Sequence, residues 1–132
     1  MKKTATLILT GALLATSTAW ATPATDELFA RFKSEGAANF DAERGKAFWA
    51  KKVKKDGEDI SCTTCHGDDL TKPGKHRKSG KVIEPMAPSV NHERLTEVKE
   101  MDKWFKRNCN DVLSHECTAQ EKGDVLKFLL TK

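Results

Sequence analysis

The stretch "SCTTCHGDDL" places Cys62, Cys65 and His66 in a C-x-x-C-H pattern, and no other feature restricts the chain so tightly. Two thiols at this spacing can each form a thioether with a vinyl group along one porphyrin edge, and the adjacent histidine then reaches the iron from the proximal side. A chain fastened in this way has to fold around a rigid apolar disc. Two competing readings require features that the sequence lacks. A thioredoxin-like dithiol needs a βαβ context, and a structural zinc site needs four clustered ligands, whereas Cys109 and Cys117 stand far along the chain. The expected cofactor is one covalent haem c, held by Cys62 and Cys65 with His66 on the iron.

The composition agrees with an interior filled partly by a cofactor. Only 38% of residues are hydrophobic against 32% charged, which is thin for an unaided core in a chain of this size. The start of the chain fixes a compartment: "MKK" is a positive opening, "LILTGALLA" an apolar stretch, and Ala19-Trp20-Ala21 an A-x-A cleavage site. Residues 1–21 are therefore expected to be a cleaved signal peptide and the protein to be periplasmic. Leu7 to Ala15 falls far short of the roughly 18 apolar residues that a retained anchor needs. The rest is expected to form one domain and a monomer, with residues 22–40 as an extension carrying a short helix and 41–132 as the haem domain. The formal net charge of +4, part of which leaves with Lys2 and Lys3, is no nucleic-acid signature. The basic runs "KKVKK" and "KPGKHRKSGK" read as solvated faces, or as a docking patch for an acidic partner.

The hydrophobic spacing predicts an all-α domain, because four helical stretches can be read and no run sustains the period-two alternation of a sheet. The first, "TDELFARFKSEG", has Thr25 as its expected N-cap and Gly36 as its stop, and is expected to be short and peripheral. The second, "DAERGKAFWAKK", starts at Asp41 and carries Gly45 and Phe48 close together on its surface; the glycine fits either a close helix crossing or a tolerated surface position. In the third, "EVKEMDKWFKR", Val98, Met101 and Phe105 make an apolar stripe. The last, "TAQEKGDVLKFLL", has Thr118 and Glu121 in a capping-box relation, with Val125, Leu126, Leu129 and Leu130 as the buried face. The long polar region from Asp56 to about Asn91 makes sense in a compact domain only if it wraps around something.

What lies across the iron from His66 decides the function. Met86, in "IEPMAPS", is a candidate distal ligand through its thioether, or else a hydrophobic contact with the porphyrin. Met101 reads as core. His76, His92 and His115 sit in polar surroundings and read as solvated. Export makes a Cys109 to Cys117 link chemically reasonable, as a staple between the third and fourth helices. Asn108 follows the third helix, where asparagine is a good C-cap, and spacing alone assigns it that role. Lys75, Arg77 and Lys81 are candidates for pairing with the haem propionates, with simple solvation as the alternative. Trp104 is expected over the haem or in the helical core.

Taken together, "DAERGKAF", "SCTTCHGDDL", "EPMAPS", "KWFKRNCN" and "ECTAQEKGDVL" resemble the sphaeroides haem protein family, a branch of class I cytochromes c that binds oxygen. The resemblance runs from about Asp41 to the end, and "RNCN" with a second cysteine eight positions after the first is its distinctive part. It implies a class I cytochrome c fold, a crossing of Gly45 and Phe48 with the C-terminal helix, a Cys109–Cys117 disulfide, and Asn108 as the distal iron ligand. It also implies diatomic ligands such as O2 and NO, with a dihaem cytochrome c and a membrane cytochrome b as electron donors. The family position of Met86 can hold leucine, so a plain His/Met electron-transfer cytochrome c stays open. A haem oxidoreductase acting on O2 or NO and a redox sensor reading the Cys109 and Cys117 pair are further readings.

Overall fold

In the computed structural model, which describes residues 20–132, five helices pack around one apolar interior. They are α1 (Pro23–Ser34), α2 (Ala42–Ala50), α3 (Thr63–His66), α4 (Val98–Leu113) and α5 (Ala119–Leu129). The expected signal peptide lies outside the described residues except for its last two positions. Among the described residues no helix is long and apolar enough to cross a membrane.

The helix starts follow from their caps. Asp41 accepts from the Arg44 N–H at 2.8 Å to open α2, and Thr118 and Glu121 form the expected reciprocal box at the start of α5. The start of α1 departs from expectation. Thr22 is the cap, its hydroxyl accepting from the Thr25 N–H at 3.2 Å and donating to the Leu95 carbonyl at 2.6 Å. Thr25 is the third helical residue and wholly buried, and Pro23 occupies the first turn, where its missing N–H costs nothing. Nor is α1 peripheral. Leu28 and Phe32 are 0% and 1% exposed, the Phe32 ring meets Phe105 of α4 edge-on, and Arg31 pairs with Asp102 of α4.

The α2–α5 crossing is the tightest in the fold. A Cβ on Gly45 would lie 1.9 Å from the Asp124 carbonyl oxygen, and one on Gly123 would lie 2.1 Å from the Phe40 ring. The close crossing is therefore the correct choice for Gly45. Beside it, Asp124 is a carboxylate 5% exposed, and it accepts from the Asp41 N–H, from Arg44 Nε and Nη2, and from Gln120 Nε2 at 2.7 to 3.0 Å. Burial would raise its pKa; the bonds from Arg44, Asp41 and Gln120 outweigh burial and hold it below the usual carboxylate range.

Two small antiparallel hairpins punctuate the helical fold: β1 (Val53–Lys55) with β2 (Glu58–Ile60), and β3 (Gly74–Lys75) with β4 (Val82–Ile83). Asp56 and Gly57 both take positive φ, 53° and 83°, as a two-residue hairpin turn requires. The strands are too short and too charged to show an alternating pattern. The largest correction concerns α4, which continues through Asn108 and Cys109 to Leu113 and stops at Ser114 in the left-handed region, φ 64°. Asn108 is thus inside a helix and caps nothing.

Candidate haem-binding site

The C-x-x-C-H segment is shaped by its own hydroxyls. The Ser61 N–H donates to Thr64 Oγ1 at 2.9 Å, the His66 N–H reaches the Cys62 carbonyl at 3.1 Å, and Gly67, at φ 73°, ends the turn by donating to Thr63. One helical turn therefore sets Cys62 and Cys65 at i and i+3 on one face, with His66 following at i+4. The hairpin β3–β4 lies directly against this turn, since a Cβ on Gly74 would come within 2.2 Å of the Cys65 carbonyl oxygen.

The donor set fits haem c. Both cysteines are unbonded, and burial pushes the Cys62 thiol up to about 11. A reactive dithiol needs the opposite shift, so the thioredoxin-like alternative loses its chemistry. Burial, followed by the charge of Arg94, pushes His66 down to about 4, which leaves a neutral imidazole at pH 7, the form that ligates metal. Its Nδ1 is buried without a partner, as is Nε1 of Trp49, whose ring lies 5.2 Å from the His66 ring. No group of three or more His, Cys, Asp or Glu among the described residues is arranged to hold a metal ion, so the zinc reading has no ligand set.

A cavity of about 180 Å³ opens beside Cys65, lined by Ile60, Ser61 and Thr64, by His76 and Arg77, and by Asp111 and Val112 of α4 among others. Asn108 does not line this cavity; it stands one turn before Asp111 and Val112 on the same side of α4. Asn108 is half-buried, whereas neighbouring Asn110 is exposed and its side-chain amide donates to the Lys106 carbonyl at 2.7 Å. The helix is held near both ends. Arg31 pairs with Asp102, the Lys55 ammonium donates to the Asn110 and Asp111 carbonyls, and Cys109 is bonded to Cys117 with Cα atoms 5.7 Å apart.

Met86 lies in a differently anchored loop. The Ala87 N–H donates to the Leu70 carbonyl at 2.9 Å, and the Pro85 carbonyl accepts from Asn91 Nδ2 and from Arg94 Nε. These main-chain bonds fix the loop, and Met86 within it packs against the core. Met101 is core, 7% exposed. His92 and His115 are exposed and bonded to main-chain carbonyls, and half-buried His76 is bonded to Ser79. Of the propionate candidates, Arg77 is already engaged by Asp56 and Glu58 at 3.4 and 3.1 Å, while Lys75 and Lys81 are exposed and make no ion pair among the described residues. Trp104 is 43% exposed, with Lys103 and Arg107 each 5.1 Å from its ring; it is not core. The residues that sequence reasoning missed are Trp49, Lys55 and Arg94. No local pattern in "AFWAKK", "KKVKKD" or "NHERLTE" marks them.

Residues 35–129 match a family described as a domain of unknown function, DUF1924. The cytochrome c-type protein SHP of Cereibacter sphaeroides is 42% identical over 104 residues, which cover 78% of this chain and 80% of that protein. The chain belongs to the SHP family of c-type cytochromes. Its fold is similar to that of oxidised SHP, described as an oxygen binding cytochrome c, with a TM-score of 0.72 at 40% identity, covering 80% of this chain and 94% of that one. Cytochrome c'' of Methylophilus methylotrophus is 36% identical over 89 residues, or 67% of this chain and 62% of the relative. Its solution structure, described with insights into haem-ligand detachment, superposes with a TM-score of 0.69 at 30% identity, covering 82% and 93% of the two chains. As an SHP-family cytochrome the chain is all-α with a class I cytochrome c fold and carries covalent haem c, in agreement with the thiols and the neutral imidazole of its C-x-x-C-H turn.

Proposed function

We propose that the protein is a periplasmic monohaem cytochrome c in which His66 is the proximal iron ligand and Asn108 a distal ligand that yields on reduction. Haem c supplies a redox-active iron whose sixth position, once free, takes a diatomic gas such as O2, NO or CO. The observation that carries this reading is the half-buried Asn108, held inside α4 one position before the Cys109–Cys117 staple, with Asp111 and Val112 one turn further on lining the cavity beside Cys65. A neutral carboxamide is a weak, hard donor, suited to ferric iron and poorly suited to ferrous iron. The disulfide, Lys55 and Arg31 restrain the helix, so the amide can swing by its own side-chain torsions while the backbone stays in place. Electrons come from another cytochrome, with a dihaem cytochrome c and a membrane cytochrome b as the family's candidates. Residues 1–21 direct export and are removed.

The runner-up, a plain electron carrier with His66 and Met86 ligation, has less support. The loop of Met86 is tied to Arg94 and to Leu70 by main-chain carbonyls, and Met86 itself is packed against the apolar core, where its thioether serves as a hydrophobic contact. Absorption spectra separate the two readings. Reduced protein should change its spectrum on mixing with CO, and Asn108→Ala should turn the ferric haem high-spin while Met86→Ala leaves the ferric spectrum as it was. Loss of the ligand signature in Met86→Ala, with no CO response in the parent, would establish the electron carrier instead.

A further inference from the structure

The two basic runs of the sequence differ in what their cations already do. In β1–β2, Lys54 pairs with Asp59 at 3.0 Å, and Lys55 is committed to the carbonyls near the end of α4. From Lys72 to Lys81 the chain has no acidic residue at all. Within that run Arg77 meets Asp56 and Glu58, and Lys72 shares Asp69 at 3.6 Å. Lys75, Lys78 and Lys81 are exposed and make no ion pair among the described residues, so their charge is directed to solvent.

The hairpin β3–β4 joins this charge to an apolar contact and to the haem-attachment turn. Lys75 and Val82 are cross-strand partners, so their side chains leave the hairpin on the same face. Val82 is 60% exposed, more than any other large hydrophobic side chain among the described residues. Together with Lys75 and Gly80 it lines an open groove that also includes Thr63, Thr64 and Cys65. Cys65 lines both this groove and the cavity of about 180 Å³, so a group seated in the groove touches the residue whose sulfur holds the haem edge. The approach is fixed by the contact of Gly74 with the Cys65 carbonyl and by the Arg77 N–H, which donates to Cys65 Sγ at 3.4 Å. Trp104 with its two cations is the competing surface, but it lines neither space, and Lys103 beside it is held by Glu100.

We propose that the β3–β4 hairpin, with Val82 as its apolar contact and Lys75, Lys78 and Lys81 as its charges, is the surface at which electrons enter. Its occupant is the acidic face of the donor protein, since cations without partners steer and orient an opposite charge. The transfer oxidises the donor by one electron and reduces ferric haem by one. The inference rests on the reading above, haem at Cys62, Cys65 and His66 with electrons from another protein, and is independent of which group holds the distal position.

The test uses the oxidised holoprotein with two donors: flavodoxin hydroquinone, an acidic one-electron protein donor, and photoreduced lumiflavin, a small uncharged one. At low salt Lys75→Glu/Lys81→Glu should slow reduction by flavodoxin by about tenfold or more, and the difference should shrink as salt is added. Val82→Asp should also slow it, while Lys51→Glu/Lys52→Glu and Lys103→Glu/Arg107→Glu should stay within about twofold of wild type. All forms should be reduced by lumiflavin at the wild-type rate. A Lys75→Glu/Lys81→Glu rate with flavodoxin within about twofold of wild type, or the large fall in either control pair instead, overturns the proposal. A second readout needs no variant: backbone amide shifts of wild type on adding oxidised flavodoxin should centre on residues 74–83. Shifts centred on α4 or on β1–β2 overturn it equally. A wild-type protein that lumiflavin fails to reduce contradicts the haem reading itself, whereas equal variants that lumiflavin does reduce contradict only the docking surface.

Discussion

At the scale of single residues, the α2–α5 crossing is set by the missing side chain of Gly45. The atom that a Cβ would strike belongs to the Asp124 main chain and cannot rotate away. Gly45→Ala should cost at least about 3 kcal/mol, the upper end of ordinary overpacking, against the small gain that alanine brings to an unencumbered helix. Chemical denaturation of the holoprotein would check it. Asp124 next to it gathers α2 and α5 through Asp41, Arg44 and Gln120. Its lowered pKa makes this a stabilisation that is full above the usual carboxylate range and is lost as pH falls through the native value. Asp124→Asn should cost roughly 2 kcal/mol near pH 7 through bonds left unmade. The gap between the two proteins should then close below about pH 4, near the unperturbed carboxylate value, when unfolding is followed against pH.

At the scale of elements, the decisive one is α4, stapled at Cys109 to Cys117 just before the cap of α5. A ring of this size contributes about 2.5 kcal/mol in the chain-entropy model. Cys109→Ser/Cys117→Ser should lose about that much stability. It should also raise the high-spin fraction of the ferric protein, because the end of the helix carrying Asn108 is loosened. Equal stability loss with an unchanged spectrum would confine the disulfide to a structural role. The helices themselves were legible wherever the pattern was local, as with Asp41, with the Thr118 and Glu121 box, and with the stripe of Val98, Met101 and Phe105. The end of α4 was not, because Asn108 suits a cap by type, and what carries the helix onward is tertiary: Lys55 on its last carbonyls and the sulfur link. The cap of α1 was missed because its reciprocal partner is a threonine, Thr25, where glutamate or glutamine is the usual signal. The hairpins escaped notice because their strands span two or three residues each. In the site, the C-x-x-C-H spacing was readable as covalent haem attachment, whereas Trp49, Lys55 and Arg94 were not, since each acts through partners far away in sequence.

At the scale of the whole molecule, a chain with so many charged residues closes its core by drawing on both ends of its sequence. Leu28 and Phe32 of α1 pack with Leu126, Phe128 and Leu129 of α5, and Trp49 and Phe128 continue the interior toward His66. The beginning of α1 is consequently part of the fold, and Thr22, the residue after the expected cleavage site, is its cap. Intact mass of protein recovered from the periplasm should equal the chain from Thr22 onward plus one haem, less two hydrogens for the disulfide. A mass retaining residues 1–21 would remove the cleavage assignment, and recovery of the protein from the cytoplasmic fraction alone would remove the export assignment.

The two cysteine pairs impose a requirement on manufacture. One polypeptide has to arrive with Cys109 and Cys117 oxidised and with Cys62 and Cys65 still reduced, although the latter stand closer together in sequence and would form the smaller ring. Folding alone can defend the reduced pair only after the turn is made, when the Cys62 thiol has become a poor nucleophile. Until then the nascent protein depends on an electron supply aimed at one pair and withheld from the other, so its yield in a foreign host should track the assembly machinery more than the strength of its promoter.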